Sequence, residues 1–438
     1  MAYVTALGID IAENNMLSLT FQISIPESSS SSGSGSSQSS KSECTTVQCS
    51  SINSGISLAN SYISKQINLS HCKVIVFSEE IASKGLNNFI DTLSNNIEIR
   101  PNCNVIISRG TAKKFIEEAE PSIETLTARY YEVALKSSEY TGYTTSTQFA
   151  TFVNDVKNSF VEATAILGGV NMGDNKPKEP YTIGIDGNYI AGDTPIKSGD
   201  KKSESGGEDS NSNNGGSSSG TGSQDSSGGN SESESSNSIN NSKSTDDKSS
   251  NEQSANNMET FGTAVFHGDK FVGELTGFET LCFLLISDNF ENCILSVPYS
   301  LSDSSSEINQ IDLSVNKSKK PKIKVDFSDD KPVITVELFL EAHGLTLNNS
   351  IDYTSMHDVE ELEKSSNQFL EEKINDFLYK TSKEFNSDIV GFGKYALSKY
   401  LTWDEWQKAN WTENYRNAEF KVSVNLSVVS GSEFDKSP

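Results

Sequence analysis

From about residue 197 to residue 257 the chain is Ser, Gly, Asn, Asp, Glu and Lys with almost nothing apolar. Such a stretch buries too little to offset the entropy of ordering its backbone. It is expected to be disordered and to split the foldable sequence in two. Residues 28–41 are nearly all Ser and Gly and carry the same expectation, as a loop at about 28–43. Both tracts read as insertions that a surface loop tolerates, with a flexible tether as the functional alternative.

Before the long tract, strand and helix patterns alternate. Leu17, Leu19, Phe21, Ile23 and Ile25 alternate with polar residues. This predicts a strand at 17–25, paired with one at 3–10 across the turn Ala12-Glu13-Asn14-Asn15. Helices are expected at 55–66, 79–96 and 111–118; the second carries Ile81, Leu86, Phe89, Ile90 and Leu93 on one face. Strands rich in Val and Ile are expected at 73–77 and 103–108. Helices at 123–136 and 146–157 and a strand at 163–168 follow. The alternation argues for a sheet covered by helices.

After the tract, strands dominate. Gly268-Asp269 is the turn of an expected hairpin, 262–267 with 270–274. A short helix at 276–286 precedes strands at 293–297, 311–315, 323–327 and 332–341, hence an antiparallel or mixed sheet. A long amphipathic helix at 356–383 places Val359, Leu362, Phe369, Leu370, Ile374, Phe377 and Leu378 on its apolar face. Two short helices, 393–400 and 403–410, lead to a last strand at 418–429. The fold class expected is α+β in three domains, with mixed or antiparallel sheets packed by helices. The divisions expected are an α/β-like domain at 1–120, a middle region at 121–196 completed by part of 258–300, the insertion at 197–257, and a C-terminal α+β domain at 258–438.

The 438 residues carry a net charge of −25, with an isoelectric point near 4.6. This balance argues against nucleic acid as a partner, since phosphate binding needs a clustered basic surface. It also argues against electrostatic attachment to an anionic membrane, so attachment is expected through a lipid or a partner. No run of about 18 apolar residues exists to span a bilayer. Met1-Ala2-Tyr3-Val4 has no basic or apolar leader pattern, so the chain reads as cytosolic or as a mature form.

Chemistry is sparse. Cys44, Cys49, Cys72, Cys103, Cys282 and Cys293 form no CxxC pair and only four His occur, so a structural zinc is not expected. Cys72, Cys103 and Cys282 read as core residues. Cys44 and Cys49 read as exposed, with a disulfide between them left open. No G-x-S-x-G, HExxH, EF-hand or G-x-G-x-x-G pattern follows a strand. Gly391-Phe392-Gly393-Lys394 resembles the tail of a phosphate loop, but Tyr395 stands where the Mg²⁺-binding Ser or Thr belongs. His71, His267, His343 and His357 read as structural or exposed. The pairs Glu79-Glu80, Glu117-Glu118 and Glu371-Glu372 diverge by about 100° on a helix and do not converge for acid–base work. Trp403, Trp406 and Trp411 do not share one helical face and read as packing. No catalytic, cofactor or metal residue is expected.

The order of several segments resembles the Ger(x)C family. The carrying segments are Ala6-Leu7-Gly8-Ile9-Asp10, Gly55-Ile56-Ser57-Leu58-Ala59-Asn60, His71 through Ala82, and Glu98-Ile99-Arg100-Pro101. In the second half they are Gly262-Thr263-Ala264-Val265-Phe266 through Gly273, then Asp388-Ile389-Val390-Gly391-Phe392-Gly393, then Trp403 and Trp411 before a Val-rich strand. The resemblance implies a non-catalytic C subunit of a nutrient germinant receptor. It implies a lipid anchor on the outer face of the spore inner membrane and integral membrane A and B subunits as partners, with no cofactor. A leader and lipidated Cys are not visible here. Asp388, Gly391, Phe392, Gly393, Trp403 and Trp411 are expected to be structural marks of the family, with Asp388, Gly391 and Gly393 shaping a tight turn between helices. An exported module that binds a small germinant is the alternative reading, and a wall hydrolase using paired carboxylates a third.

Overall fold

The computed structural model describes residues 1–25, 42–118, 127–170, 182–183, 189–190, 258–299, 309–328, 331–345 and 355–429. The two low-complexity tracts, 28–41 and 197–257, lie outside these. Among the described residues the chain is α+β, built on two main sheets packed by helices, with a separate two-stranded pair at Thr182–Ile183 and Tyr189–Ile190.

The first sheet runs in spatial order β8-β7-β6-β5-β4-β1-β2-β3, where β1 is Ala2–Ile11, β2 Leu17–Ser24, β3 Ser42–Cys49, β4 Val74–Ser78, β5 Asn104–Ser108, β6 Thr164–Val170, β7 Met258–His267 and β8 Lys270–Leu275. The four central strands, β6, β5, β4 and β1, are parallel, and antiparallel pairs extend both sides. A parallel core must be covered on both faces, and β4 is buried at all its positions. Ile75 and Phe77 point into one apolar cluster, with Ile81, Ile90 and Phe152, while Val74 and Val76 point into another, with Phe115, Ile116 and Tyr131. The period-2 alternation of a strand therefore feeds two cores at once.

The second sheet runs β9-β10-β11-β12: β9 Asn292–Tyr299, β10 Asn309–Ser328, β11 Lys331–Gly344 and β12 Glu419–Val428. β9–β11 form an antiparallel meander, and β12 returns parallel to β11. β11 alternates buried and partly exposed residues along its length. Its buried face meets the long helix Met356–Tyr379 through Leu362, Leu370, Ile374 and Phe377. The helix also covers the edge strand. Glu371 Oε1 accepts from Val424 N at 2.9 Å, Asn367 Oδ1 from Leu426 N at 2.8 Å, and Glu363 Oε1 from Val428 N at 2.7 Å. A four-residue helical repeat thus matches a two-residue strand repeat.

Several expectations need correction. The helix expected at 79–96 is two, Glu79–Lys84 and Asn87–Ser94, because Gly85 takes φ +116° and stops the first. The strands expected at 311–315 and 323–327 are one 20-residue strand, bent by register shifts around Lys317–Lys322. The long helix ends at Tyr379 and loosens into a π turn, Lys380–Glu384. A third closing helix, Trp411–Arg416, follows Trp403–Ala409 and is set off by Asn410 at φ +46°. Cys49 is buried, Cys44 is half-buried, and neither is in a disulfide.

Candidate functional site

The DIVGFG segment lies where the end of the long helix meets the hairpin β7–β8 and residues 159–163. After the π turn, Asn386 adopts φ +50°. The Ser387 hydroxyl then donates to Phe266 O at 2.5 Å, and His267 Nδ1 lies 2.9 Å from Asn386 O. These contacts turn Asp388 inward, where it is 2% exposed.

The buried carboxylate gathers four donors. Oδ1 accepts from Gly391 N at 2.9 Å and Phe392 N at 3.0 Å; Oδ2 accepts from Gly393 N at 2.7 Å and Trp411 Nε1 at 2.8 Å. The Asp388 carbonyl accepts from Glu162 N at 2.9 Å. Glu162 in turn accepts from Gly268 N at 2.6 Å, with His267 Nδ1 3.7 Å from its other oxygen. One residue thus ties the family-motif turn, the hairpin and the 159–163 segment together.

The glycines have specific reasons. Gly391 sits at φ +81°, which L side chains rarely adopt. A Cβ on Gly393 would lie 2.6 Å from Phe160 O and 2.8 Å from Trp411 Nε1. The Gly-Phe-Gly-Lys run does form a cradle of amides, but the chain's own carboxylate fills it. Those N–H groups have no capacity left for a phosphate. Phe392 is fully buried, and its ring is 6.1 Å from that of Tyr415.

Electrostatically the carboxylate is under opposed influences. Burial pushes Asp388 up to about 6, while the amides and the Trp411 indole hold it down. Burial also raises Glu162 against the pull of the Gly268 amide and His267, and raises Asp155 to about 6 against the Lys394 ammonium.

The tryptophans divide. Trp406 and Trp411 are 2% and 3% exposed, with rings 5.9 Å apart and nearly parallel, and Trp406 Nε1 donates to Ser159 Oγ at 3.1 Å. Trp403 is 53% exposed, so of the two tryptophans in the expected signature only Trp411 packs. Reading the sequence missed Ser159, Glu162 and Ser387 as parts of this junction; Trp406 reads there as packing and His267 as structural or exposed, without a partner for either. An Asp followed by Gly three and five residues on is the available signal, since short acidic side chains close turns on following amides. Nothing local points to Trp411, 23 residues further along.

Other candidates do not converge. Glu80 pairs with Lys84, Glu117 with Lys113, Glu371 with the backbone of β12, and Glu372 with Lys373. His71 packs against the Tyr3 ring at 4.5 Å. Burial pushes Cys44 to about 11 and Cys72 and Cys293 to about 12, and raises Cys103 and Cys282 as well. Thiols so shifted are poor nucleophiles at neutral pH. Among the described residues, no group of three or more His, Cys, Asp or Glu is placed to hold a metal ion.

Two family models match the chain in order: the spore germination protein N-terminal domain over residues 1–169, and the spore germination B3/GerAC-like C-terminal region over residues 261–431. The chain belongs to the Ger(x)C family of spore germination proteins. Spore germination protein GerQC of Bacillus cereus is 21% identical over 176 residues, 40% of this chain and 46% of that protein. The match therefore spans less than half the length of that relative. The crystal structure of the GerBC protein aligns over 98% of this chain and 99% of its own, with 14% identity and a TM-score of 0.44. Glu162 falls in the first Ger(x)C match and Asp388 in the second, so the junction is where the two family segments meet.

Proposed function

We propose that the chain is a non-catalytic subunit that supports assembly of a spore germinant receptor and nutrient-triggered germination at the spore inner membrane. Its partners would be the integral membrane A and B subunits, with a lipid anchor holding the native form on the outer face of that membrane. The observation that carries this reading is the pair of Ger(x)C matches in order along one chain. The residues that resemblance singled out support it, because they are spent on structure. The Asp388 carboxylate is saturated by Gly391, Phe392, Gly393 and Trp411. We assign these four and Asp388 a structural role, and leave Trp403 outside the packed junction.

The domain division offered with this reading keeps 1–120 as an α/β-like unit and 121–196 as a middle region completed by part of 258–300. The remainder of 258–438 is the C-terminal α+β unit. The pairing of β7 on β6 supports that completion.

Cross-linking mass spectrometry and co-purification from detergent-solubilised spore membranes test the proposal. Cross-links to the A or B subunit are expected. Recovery of the chain with neither subunit, under conditions that keep those two together, would overturn it.

A second reading, a germinant-binding module, draws on one observation. A cleft of about 570 Å³ between residues 138–151 and 284–291 is lined by Ser138, Thr145, Gln148, Asn289, Glu291 and Lys317. Its polar walls and mixed charge would suit a small zwitterion. A saturable rise in Tm with a germinant, lost in T145V/Q148L, would favour this reading.

A further inference from the structure

The net charge of −25 is unevenly spread. Strand β10 carries Lys317, Lys319, Lys320, Lys322 and Lys324 within eight residues, and all five are exposed. β9 begins at Asn292, opposite Asn316, so among the described residues the part of β10 beyond Asn316 is a sheet edge. The segment after helix Gly393–Leu397 is fastened beside it. Lys399 Nζ pairs with Asp326 at 3.0 Å, Lys324 pairs with the same carboxylate at 2.6 Å, and the Tyr400 ring packs on Phe327 at 6.0 Å. Lys394 joins from the helix, lining a small hollow with Lys320, Pro321 and Tyr395.

The carboxylates that pair with these lysines are Asp288, Asp326 and Glu337. On β10 these three face five lysines; Asp155 acts on Lys394, and Asp404 and Glu405 stand exposed beside Trp403, so the cationic excess lies on the Lys317–Lys324 edge. Next to Lys399 stand the most exposed large apolar residues of this region, Leu401 at 93% and Trp403 at 53%. Tyr400 and Trp406 anchor this segment from below through a ring contact of 5.5 Å, so Leu401 and Trp403 are displayed on a fixed base.

We propose that the Lys317–Lys324 edge of β10, together with Lys399, Leu401 and Trp403, docks on an anionic lipid bilayer. Three features favour a bilayer. All the cations are lysines, which act as hydrated point charges and suit a diffuse anionic surface; planar forked recognition of one carboxylate or phosphate calls for Arg. An exposed Trp beside an exposed Leu and long lysine stems is the combination that settles at a headgroup boundary. The remaining acidic charge of the molecule is screened beyond about 8 Å at physiological salt, so only the face in contact decides the sign. Lysines also discourage strand pairing at a sheet edge, but that role requires neither Leu401 nor Trp403. The proposal rests on the receptor reading only in placing the chain near a membrane, and its test needs no receptor subunit.

The full chain is to be co-sedimented with vesicles of phosphatidylcholine alone and of phosphatidylcholine mixed with phosphatidylglycerol, across a salt series. Binding is expected to the mixed vesicles only, and to weaken steeply with salt. The variant K319Q/K320Q/K322Q/K324Q is expected to bind at least about tenfold more weakly and to lose most of the salt dependence. The variant L401S/W403S is expected to weaken binding at every salt concentration while keeping the slope. Trp403 fluorescence should be quenched by brominated lipid, and W403F should remove that quenching, since Trp406 and Trp411 are buried. Equal binding to both vesicle types, or unchanged binding by a lysine variant with unaltered Tm, overturns the proposal. Unchanged vesicle binding by the lysine variant with lost binding of polyglutamate would mark the surface as a protein dock, and would equally end it. A failed co-purification with the A and B subunits would count against the receptor reading and leave this result standing.

Discussion

The indole N–H of Trp411 points at Asp388 Oδ2 from 2.8 Å, closing the fourth side of a carboxylate whose other three donors are backbone amides. An amide side chain cannot imitate this. In Asp388→Asn one nitrogen must face two N–H donors, leaving groups unsatisfied in a buried site. The expected loss is about 2–4 kcal/mol at pH 7, read as a lower urea midpoint with an unchanged m-value. Trp411→Phe removes one donor, and in a double-mutant cycle with Asp388→Asn the two losses should fall short of additive.

The glycines of the turn should differ in sensitivity. Gly391→Ala meets backbone strain at positive φ and brings its methyl to 3.3 Å from side-chain atoms of Lys394 and Val161, which can shift, costing about 1–2 kcal/mol. Gly393→Ala would force a methyl against Phe160 O and the Trp411 indole, where backbone must move. It is expected to cost more than Gly391→Ala and to shift the Trp411 indole N–H resonance. Equal losses would mean that the close approach to Phe160 is not what excludes a side chain.

Asp155 gives a pH dependence that a single substitution isolates. Its native value of about 6 lies above the ordinary 3.8. Its contribution to stability is therefore full below about pH 4 and is lost as pH rises through 6. Asp155→Asn should be close to neutral at pH 4 and stabilising at pH 7. Solvent screening at this partly exposed position limits the gain to about 1–2 kcal/mol. Urea melts of both proteins across that range check it; a gain that is the same at both ends would reject the assignment.

The row Glu363, Asn367 and Glu371 caps the free amides of Val428, Leu426 and Val424. Replacing all three with Ala exposes a strand edge. The expected result is faster hydrogen exchange at those amides and concentration-dependent self-association in light scattering, because uncovered edges pair with other chains. A monomer with unchanged exchange would show that the helix covers the edge without needing these side chains.

Among the tryptophans, Trp406→Ala should cost about 3–5 kcal/mol, as expected for a buried aromatic. Trp403→Ser should change stability by no more than about 0.5 kcal/mol. Thermal melts of the two variants give the comparison directly.

Where one segment's own pattern decides its structure, the sequence was readable. The Gly268-Asp269 hairpin, the alternation from Val422 to Val428 and the apolar stripe of the long helix are all such cases. The family resemblance was legible for a related reason, since it rests on the order of local segments. Reading failed where distant partners decide. Gly85 breaks a helix whose apolar face continues on either side of it, and the Asp269 carboxylate packed against that turn is far along the chain. Lys317–Lys324 has no apolar alternation, so its continuity as a strand comes from pairing with β11. The spacing of the three Trp residues could not show that Trp406 stacks on Trp411 while Trp403 faces water, because Asn410 reorients the helix between them.

The pairing of Met258 with Val170 has a consequence for cooperativity. β6 belongs to the first Ger(x)C match, and the hairpin that covers its flank, β7–β8, falls mostly in the second. Either segment expressed alone would carry an interrupted sheet: one with a bare parallel edge at β6, the other with a hairpin that has nothing to pair against. The boundary drawn by sequence similarity is therefore a seam through a folding unit. Two halves severed anywhere in residues 191–257 would be expected to find each other again across that seam.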